Sequence, residues 1–347
     1  MVTRSTAEDG RHVDERLGVL EGEGATIEVD HPAGAFPTAH HATGAMRESP
    51  TYYGLPALKE PVWTATVPVY FYVGGLAGAT LVLGGVAQLA GGPSLRALVV
   101  RCRRVGLFAL VVSGGLLVYD LGRPARFLNM LRVFRPTSPM SVGSWILSAI
   151  SASTAIATLL PDRPRLLGAA ADVGGVVSAL LGGPMAGYTG VLLGNTAVPI
   201  WSSARIALPV LFTAGAVASA ASFLELLPET SSRRGRAARI VRRFGVVGKC
   251  AELVATFAVE RAVAGHPRLE APLHEGVTRA LWSAAKVLTA ASLVISVIPG
   301  KQAWKRTAGG ALGSLGALAM RFAILQAGRA SARDPRATFE PQRDGIA

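Results

Sequence analysis

The sequence predicts an all-α integral membrane protein of eight transmembrane helices. Three observations predict it. Half of the 347 residues are hydrophobic and only 16% are charged, against about 25% in an ordinary soluble domain. The apolar residues gather into eight stretches, and about 20 residues of helix cross the ~30 Å hydrocarbon core. The cations behind the net charge of +13 fall in short loops between those stretches. That distribution speaks for membrane topology and against a nucleic-acid partner, which would need a basic patch interleaved with aromatic residues.

Residues 1–50 are polar, Gly-rich and mixed in charge, and read as a mobile tail. His31, His40 and His41 lie in it without a spacing diagnostic of metal. No basic start followed by an apolar core opens the chain, so insertion is expected to be directed by the helices themselves. The spans run near 62–89, 100–121, 140–160, 167–193, 204–227, 244–264, 277–298 and 306–328. The sixth is the least apolar, interrupted by Lys249, Glu252, Glu260 and Arg261. Glycines recur at four-residue spacing, as Gly74/Gly78 and Gly309/Gly313, and in lipid such small residues let helix backbones approach closely. Residues 331–347 form a second polar tail. Cys102 and Cys250 are far apart and form no Cys-x-x-Cys motif, so the chain offers no iron–sulfur or zinc framework of its own.

The loops set the topology. Those after odd-numbered spans hold Arg96, Arg101, Arg103 and Arg104, then Arg163 and Arg165, a run from Arg233 to Arg243, and Lys301, Lys305 and Arg306. Those after even-numbered spans are poorer: Arg123, Arg126, Arg132 and Arg135, then none in 194–203, then Arg268 opposed by Glu270 and Glu275. The odd loops are expected in the cytoplasm, with both termini outside a cytoplasmic (inner) membrane.

The second span ends in Asp120-Leu121-Gly122-Arg123-Pro124-Ala125-Arg126-Phe127. Ionisable residues at a membrane boundary are costly and usually functional. Counting about 1.5 Å per residue puts Thr66, Tyr70, Asp120, Arg123, Trp145 and Tyr188 at similar depth near one face. Together they make a candidate pocket for an amphipathic head group. Two other readings stand beside it. Asp120 could pair with Arg123 or Arg126 as a structural ion pair. Tyrosine and tryptophan also form interfacial belts, the preferred reading for Trp63, Tyr72 and Trp201. Glu252, Lys286 and Arg321 fall near the middle of the last three spans. Mid-membrane charges cost about 2.5–3.5 kcal/mol each on insertion scales, so this trio is either a proton route or a static cluster joining helices.

At these residues the chain resembles the NrfD-type membrane subunits of polysulfide-reductase-like oxidoreductases, over roughly residues 52–335. The resemblance rests on Tyr53-Gly54-Leu55-Pro56, Tyr70 through Gly78, Asp120 through Phe127, and Pro136 through Ser141 with Gly143 and Trp145. It continues in Tyr188 through Leu193, Pro199-Ile200-Trp201, Leu208 through Phe212, and Arg321 with Ala327-Gly328. It implies a quinone-reactive subunit of eight helices built as two four-helix bundles, here 51–193 around the quinone and 194–330, the half that holds the mid-membrane charges Glu252, Lys286 and Arg321 and with them the candidate proton path. It further implies menaquinone or ubiquinone as the cofactor, with no haem or metal in this chain. The implied partners are a four-cluster iron–sulfur subunit docked over the pocket and a molybdopterin catalytic subunit beyond. In polysulfide reductase an Asn and a His on the first helix and a Tyr on the fourth hold the quinone head. Thr66 stands at the Asn position, Tyr70 at the His position, and Tyr188 matches the Tyr. The first two are departures that keep hydrogen-bonding capacity but lose the imidazole. Asp120 matches the acidic residue of the family's Asp-Leu-Gly-Arg-Pro motif and becomes the substitute proton acceptor.

The expected function is electron exchange between the membrane quinone pool and an iron–sulfur partner. Thr66, Tyr70 and Tyr188 would hold the quinone, and Asp120 with Arg123 would handle its protons. Arg126, Arg132 and Arg135 are candidates for docking an acidic partner. Two rivals remain: a secondary transporter with charges in broken helices, and an anchor subunit without quinone chemistry.

Overall fold

The computed structural model describes residues 5–6, 12–14, 19–21, 58–121, 125–160, 165–228, 234–298 and 302–338. Met1–Thr51 and Tyr52–Ala347 are separate units. In the first, β1 (Ser5–Thr6), β2 (His12–Asp14) and β3 (Val19–Glu21) form an antiparallel sheet in the order β1-β2-β3. Its register pairs Thr6 with His12 and His12 with Glu21. Strands of two or three residues are too short to leave an alternating apolar pattern, so the sequence predicts none there.

The second unit is helical. Its long helices are α1 (Thr66–Gly91), α2 (Arg96–Asp120), α4 (Pro139–Leu159) and α5 (Arg165–Gly194), then α7 (Ala207–Leu226), α8 (Arg234–Val263), α10 (Gly276–Val297) and α11 (Ala303–Arg333). Three short ones, α3 (Ala125–Met130), α6 (Pro199–Ser203) and α9 (Pro267–His274), lie where loops were expected. Among the described residues, seven helices are long and apolar enough to cross a membrane; α8 is not one of them. It also begins ten residues before the expected 244, because Arg is a good helix former whatever its hydropathy.

Boundaries follow local chemistry. α1 stops at Gly92, whose φ of +53° suits glycine, and Pro93 follows. Pro139 occupies the first turn of α4, where its missing N–H costs nothing, and the Ser138 side chain caps that turn by accepting from Ser141 N. Arg101 of α2 donates to the carbonyls of Leu224 and Leu227 at 2.6 and 2.8 Å, satisfying the free end of α7.

Both halves run long, long, short, long, long. In each, the first long helix packs on the second and fourth, and the third packs on the fourth. α1, α5 and α7 also pack on one another where the halves meet. Between α1 and α5, Gly78 and Gly182 face each other, and a Cβ on either would lie 2.5 Å from the other's carbonyl oxygen. That is the close approach expected of the glycine spacing.

α8 explains its own low apolarity. Its large exposed hydrophobic residues are Val247, Val254 and Phe257, at 65%, 70% and 66% exposure, while Arg236, Arg239, Arg242, Arg243 and Arg261 are exposed toward its ends. Its charges Lys249 and Glu252 point inward, at 0% and 1%. Apolar groups outward and ionisable groups toward other helices is the arrangement lipid demands.

Candidate functional site

The start of α1, the end of α2, the start of α4 and the end of α5 meet at one face and enclose a cavity of about 120 Å³. Its polar wall is Tyr70, Asp120, Ser144 and Tyr188; Leu116, Leu117, Met130 and Met140 supply much of the rest. Tyr70 is buried and stands beside Tyr188. Neither phenol hydroxyl has a hydrogen-bond partner among the described residues. Both residues line the cavity, so both hydroxyls are available to a ligand.

Asp120 is oriented by the first residue of α1 and by the segment just before it. Thr64 Oγ1 donates to its Oδ1 at 2.9 Å and Thr66 Oγ1 at 3.1 Å. Thr66 therefore grips the carboxylate and does not itself line the cavity. Gly143 of α4 lies against the Tyr188 ring so closely that a Cβ there would overlap the phenol.

An aromatic wall closes the side toward α7 and α11. Trp63 stacks on Trp201 at 5.7 Å and 13°, and meets Phe71 edge-on at 6.3 Å. Phe71 meets Phe212 at 5.7 Å. The strap before α1 is fastened to α11. Arg329 donates to the carbonyls of Pro61 and Trp63, and Arg333 makes two 2.8 Å hydrogen bonds to Glu60. These bonds from Arg333 hold the Glu60 carboxyl below the ordinary carboxylate range.

Thus Tyr70, Asp120 and Tyr188 converge on one cavity, with Thr66 behind Asp120. Arg123 and the side chain of Arg126 lie outside the described residues. Trp145 faces outward, 39% exposed and edge-on to Phe134. The belt reading needs three corrections. Trp63 lines the cavity. Trp201 is buried and donates from Nε1 to Ile324 O at 3.0 Å. Tyr72 sits beside Glu252 and Arg321, between the helices. Thr64 and Gly143 are the site residues whose roles the sequence did not display.

The mid-span charges divide. Glu252 and Arg321 are both buried near Gly215. Lys286 instead pairs with Glu260 at 2.7 Å, and Glu260 also accepts from Trp282 Nε1 at 2.6 Å. A second buried cation, Lys249, faces Glu252 beside Arg321. A second, more open hollow of about 230 Å³ lies by Glu260, Arg261, Glu270 and His274. Its two carboxylates already have partners, in Lys286 and in Gly265 N.

The family model of polysulphide reductase, NrfD, matches residues 55–331. The chain belongs to the NrfD family. That family comprises membrane subunits of quinone-linked oxidoreductases, which generally work with iron–sulfur and molybdopterin subunits. No curated protein sequence matches the chain. The match covers every long helix except the last two residues of α11, so the cavity and the buried charges both fall within it.

Proposed function

We propose that the cavity binds the ring of a membrane quinone, and that the chain exchanges electrons between the quinone pool and an iron–sulfur partner. The observation that carries this reading is a pair of phenols without hydrogen-bond partners among the described residues, beside a threonine-held carboxylate, in a cavity lined mostly by apolar residues. A quinone ring is flat, apolar and bears two carbonyl acceptors, which matches that donor set. Pockets for drug-sized ligands run to about 300–1,000 Å³. A 120 Å³ cavity therefore suits a single ring with its tail outside in lipid.

When bound, the quinone supplies two-electron, two-proton chemistry. Tyr70 and Tyr188 donate to its carbonyl oxygens and fix the plane of the ring. Asp120 takes or returns a proton at Oδ2, the oxygen that carries neither threonine bond. Leu116, Leu117 and Met140 exclude water. Arg123, three residues after Asp120 in the sequence, would help set its proton affinity, and Arg126, Arg132 and Arg135 would meet an acidic partner. In this reading α8 is an eighth span, and the repeated packing of the two halves makes two four-helix bundles. The membrane is the inner one, with both termini on its outer side.

The test is mild purification from native membranes, with mass spectrometry of co-purifying subunits and quinone extraction from the same sample. An iron–sulfur subunit with stoichiometric quinone supports the reading. A lone chain without quinone that takes up a solute in vesicles would replace it with transport.

A further inference from the structure

Outside the cavity, buried ionisable residues gather on three helices of the second half: Glu225 of α7, Lys249 and Glu252 of α8, and Arg321 of α11. They form a row. Lys249 Nζ lies 3.8 Å from Glu225 Oε2 and donates to Ser296 Oγ at 2.9 Å. Lys249 and Glu252, three residues apart, share one face of α8. A Cβ on Gly215 would come within 2.8 Å of both Glu252 Oε1 and Arg321 Nη2, so the bare glycine is what lets both groups lie there. Arg321 Nη2 donates to Phe212 O at 3.0 Å, with its guanidinium 4.0 Å over the Phe212 ring.

The row has a direction. Glu225 is one residue from the end of α7, at the face opposite the cavity, and Phe212 lies 13 residues deeper. At about 1.5 Å per residue that is roughly 20 Å of the ~30 Å core. The rest is one aromatic layer, Phe212 against Phe71, and Phe71 lines the cavity.

The groups facing the row are few. Glu225 faces Lys249, Arg306 and Arg242. Glu252 faces Arg321 and Lys249, and Arg321 also faces Tyr72. Yet neither carboxylate oxygen of Glu252, nor Arg321 Nε or Nη1, has a hydrogen-bond partner among the described residues. Desolvating an ion costs several kcal/mol, and a structural ion pair survives burial only when its remaining donors and acceptors are satisfied. This pair is not satisfied. A carboxylate with neither oxygen in a hydrogen bond accepts a proton without breaking one, and Glu252 Oε1 lies with Arg321 Nη2 at the space left by Gly215.

We propose that Glu225, Lys249, Glu252 and Arg321 form a proton half-path from the face opposite the cavity, with Glu252 the group that binds the proton. On uptake, a proton from water at the Glu225 end bonds to a free oxygen of Glu252. On release it leaves from that oxygen. Lys286, held at Glu260, is outside the path. The assignment of the cavity as a quinone site gives the path its purpose, so the half-path rests on that reading for its role in turnover.

The experiment uses the intact complex in proteoliposomes of one orientation, observed by infrared difference spectroscopy during a pH step on one side. The expected result is a carboxylic C=O band that follows a step at the Glu225 face. It disappears in Glu252→Gln, shifts in Glu252→Asp, and is weakened or slowed in Lys249→Met, a variant that keeps Glu252 itself. Lys286→Met leaves it unchanged. The proposal is overturned if no such band forms, if Glu252→Gln retains it, or if it follows a step at the cavity face equally. The measurement needs no quinone. A quinone analogue that fails to bind while the band persists would sink the cavity reading and leave the proton site standing.

Discussion

Replacing Gly143 by Ala tests the cavity where its geometry is tightest. The added methyl would overlap the Tyr188 phenol. The ring has two ways out. It can swing into the 120 Å³ cavity, the open space beside it, where it takes up room meant for a ligand ring. Otherwise α4 and α5 must part, and overpacking of this kind costs about 1–3 kcal/mol. Expressed in ligand binding, that is roughly a five- to hundredfold loss. Tyr188→Phe, by contrast, loses one hydrogen bond, about 1 kcal/mol or about fivefold. The ordering is the prediction: the added methyl weakens binding more than the lost hydroxyl does. The assay is the KM for a short-chain quinone analogue in electron transfer by the intact complex, with thermal unfolding in parallel. Unfolding alone does not decide, because Ala favours helix over Gly by about 1 kcal/mol. A Gly143→Ala complex with unchanged KM would refute the placement of Tyr188 on the wall of a quinone site.

Three further outcomes are expected. Asp120→Asn keeps the shape that Thr64 and Thr66 grip but cannot take a proton, so quinone-coupled turnover falls while subunit assembly on native gels is unchanged. Arg321→Met leaves Glu252 buried without its guanidinium; breaking a buried pair from one side costs about 3–5 kcal/mol, and adding Glu252→Gln should recover much of the lost unfolding midpoint. Hydrogen bonds from Arg333 hold Glu60 below the ordinary carboxylate range. Its contribution is therefore complete at neutral pH and is lost as pH falls through that lowered value, whereas Glu60→Gln should lack this acid-side loss in a pH series of thermal midpoints.

Depth along the membrane normal was legible in the sequence; direction around each helix was not. Counting residues put Tyr70, Asp120 and Tyr188 at one level, and they share a cavity. The same count put Trp145 at that level, yet it faces outward. It also put Lys286 at the depth of Arg321, although Lys286 turns to Glu260. Which side of a helix meets a neighbour depends on small residues in other helices, as with Gly78 against Gly182, Gly143 against Tyr188 and Gly215 beside Arg321. No single segment carries that information. Trp201 read as a belt residue because its type and position fit one, whereas its ring lies against Gly328 and its N–H is satisfied by a carbonyl of α11.

The helix that fails the apolarity test is the one that argues most strongly for two matching halves. α8 stands in its half where α2 stands in the other: second long helix, packed on the first, followed by a short helix. α2 also carries a buried arginine, Arg103, but that one is matched by Gln88, by Ala157 O and by Asp172. The end of α2 delivers Asp120 to the cavity mouth. The end of α8 delivers Glu260 to the corresponding level, where Lys286 and Trp282 of α10 occupy it. If both halves derive from one bundle plan, a carboxylate at this position is common to them, and the neighbours decide its use. Threonine donors hold Oδ1 of Asp120 and leave Oδ2 without a hydrogen-bond partner among the described residues, whereas a lysine at 2.7 Å commits Glu260 to an ion pair. Exchanging those neighbours is then informative. Lys286→Thr should free Glu260 and open that end of the second half, without creating quinone turnover, because no counterpart of the paired phenols Tyr70 and Tyr188 lines the second hollow. Quinone-coupled activity that depended on Glu260 in that variant would show that the carboxylate, and not the tyrosine pair, defines the site.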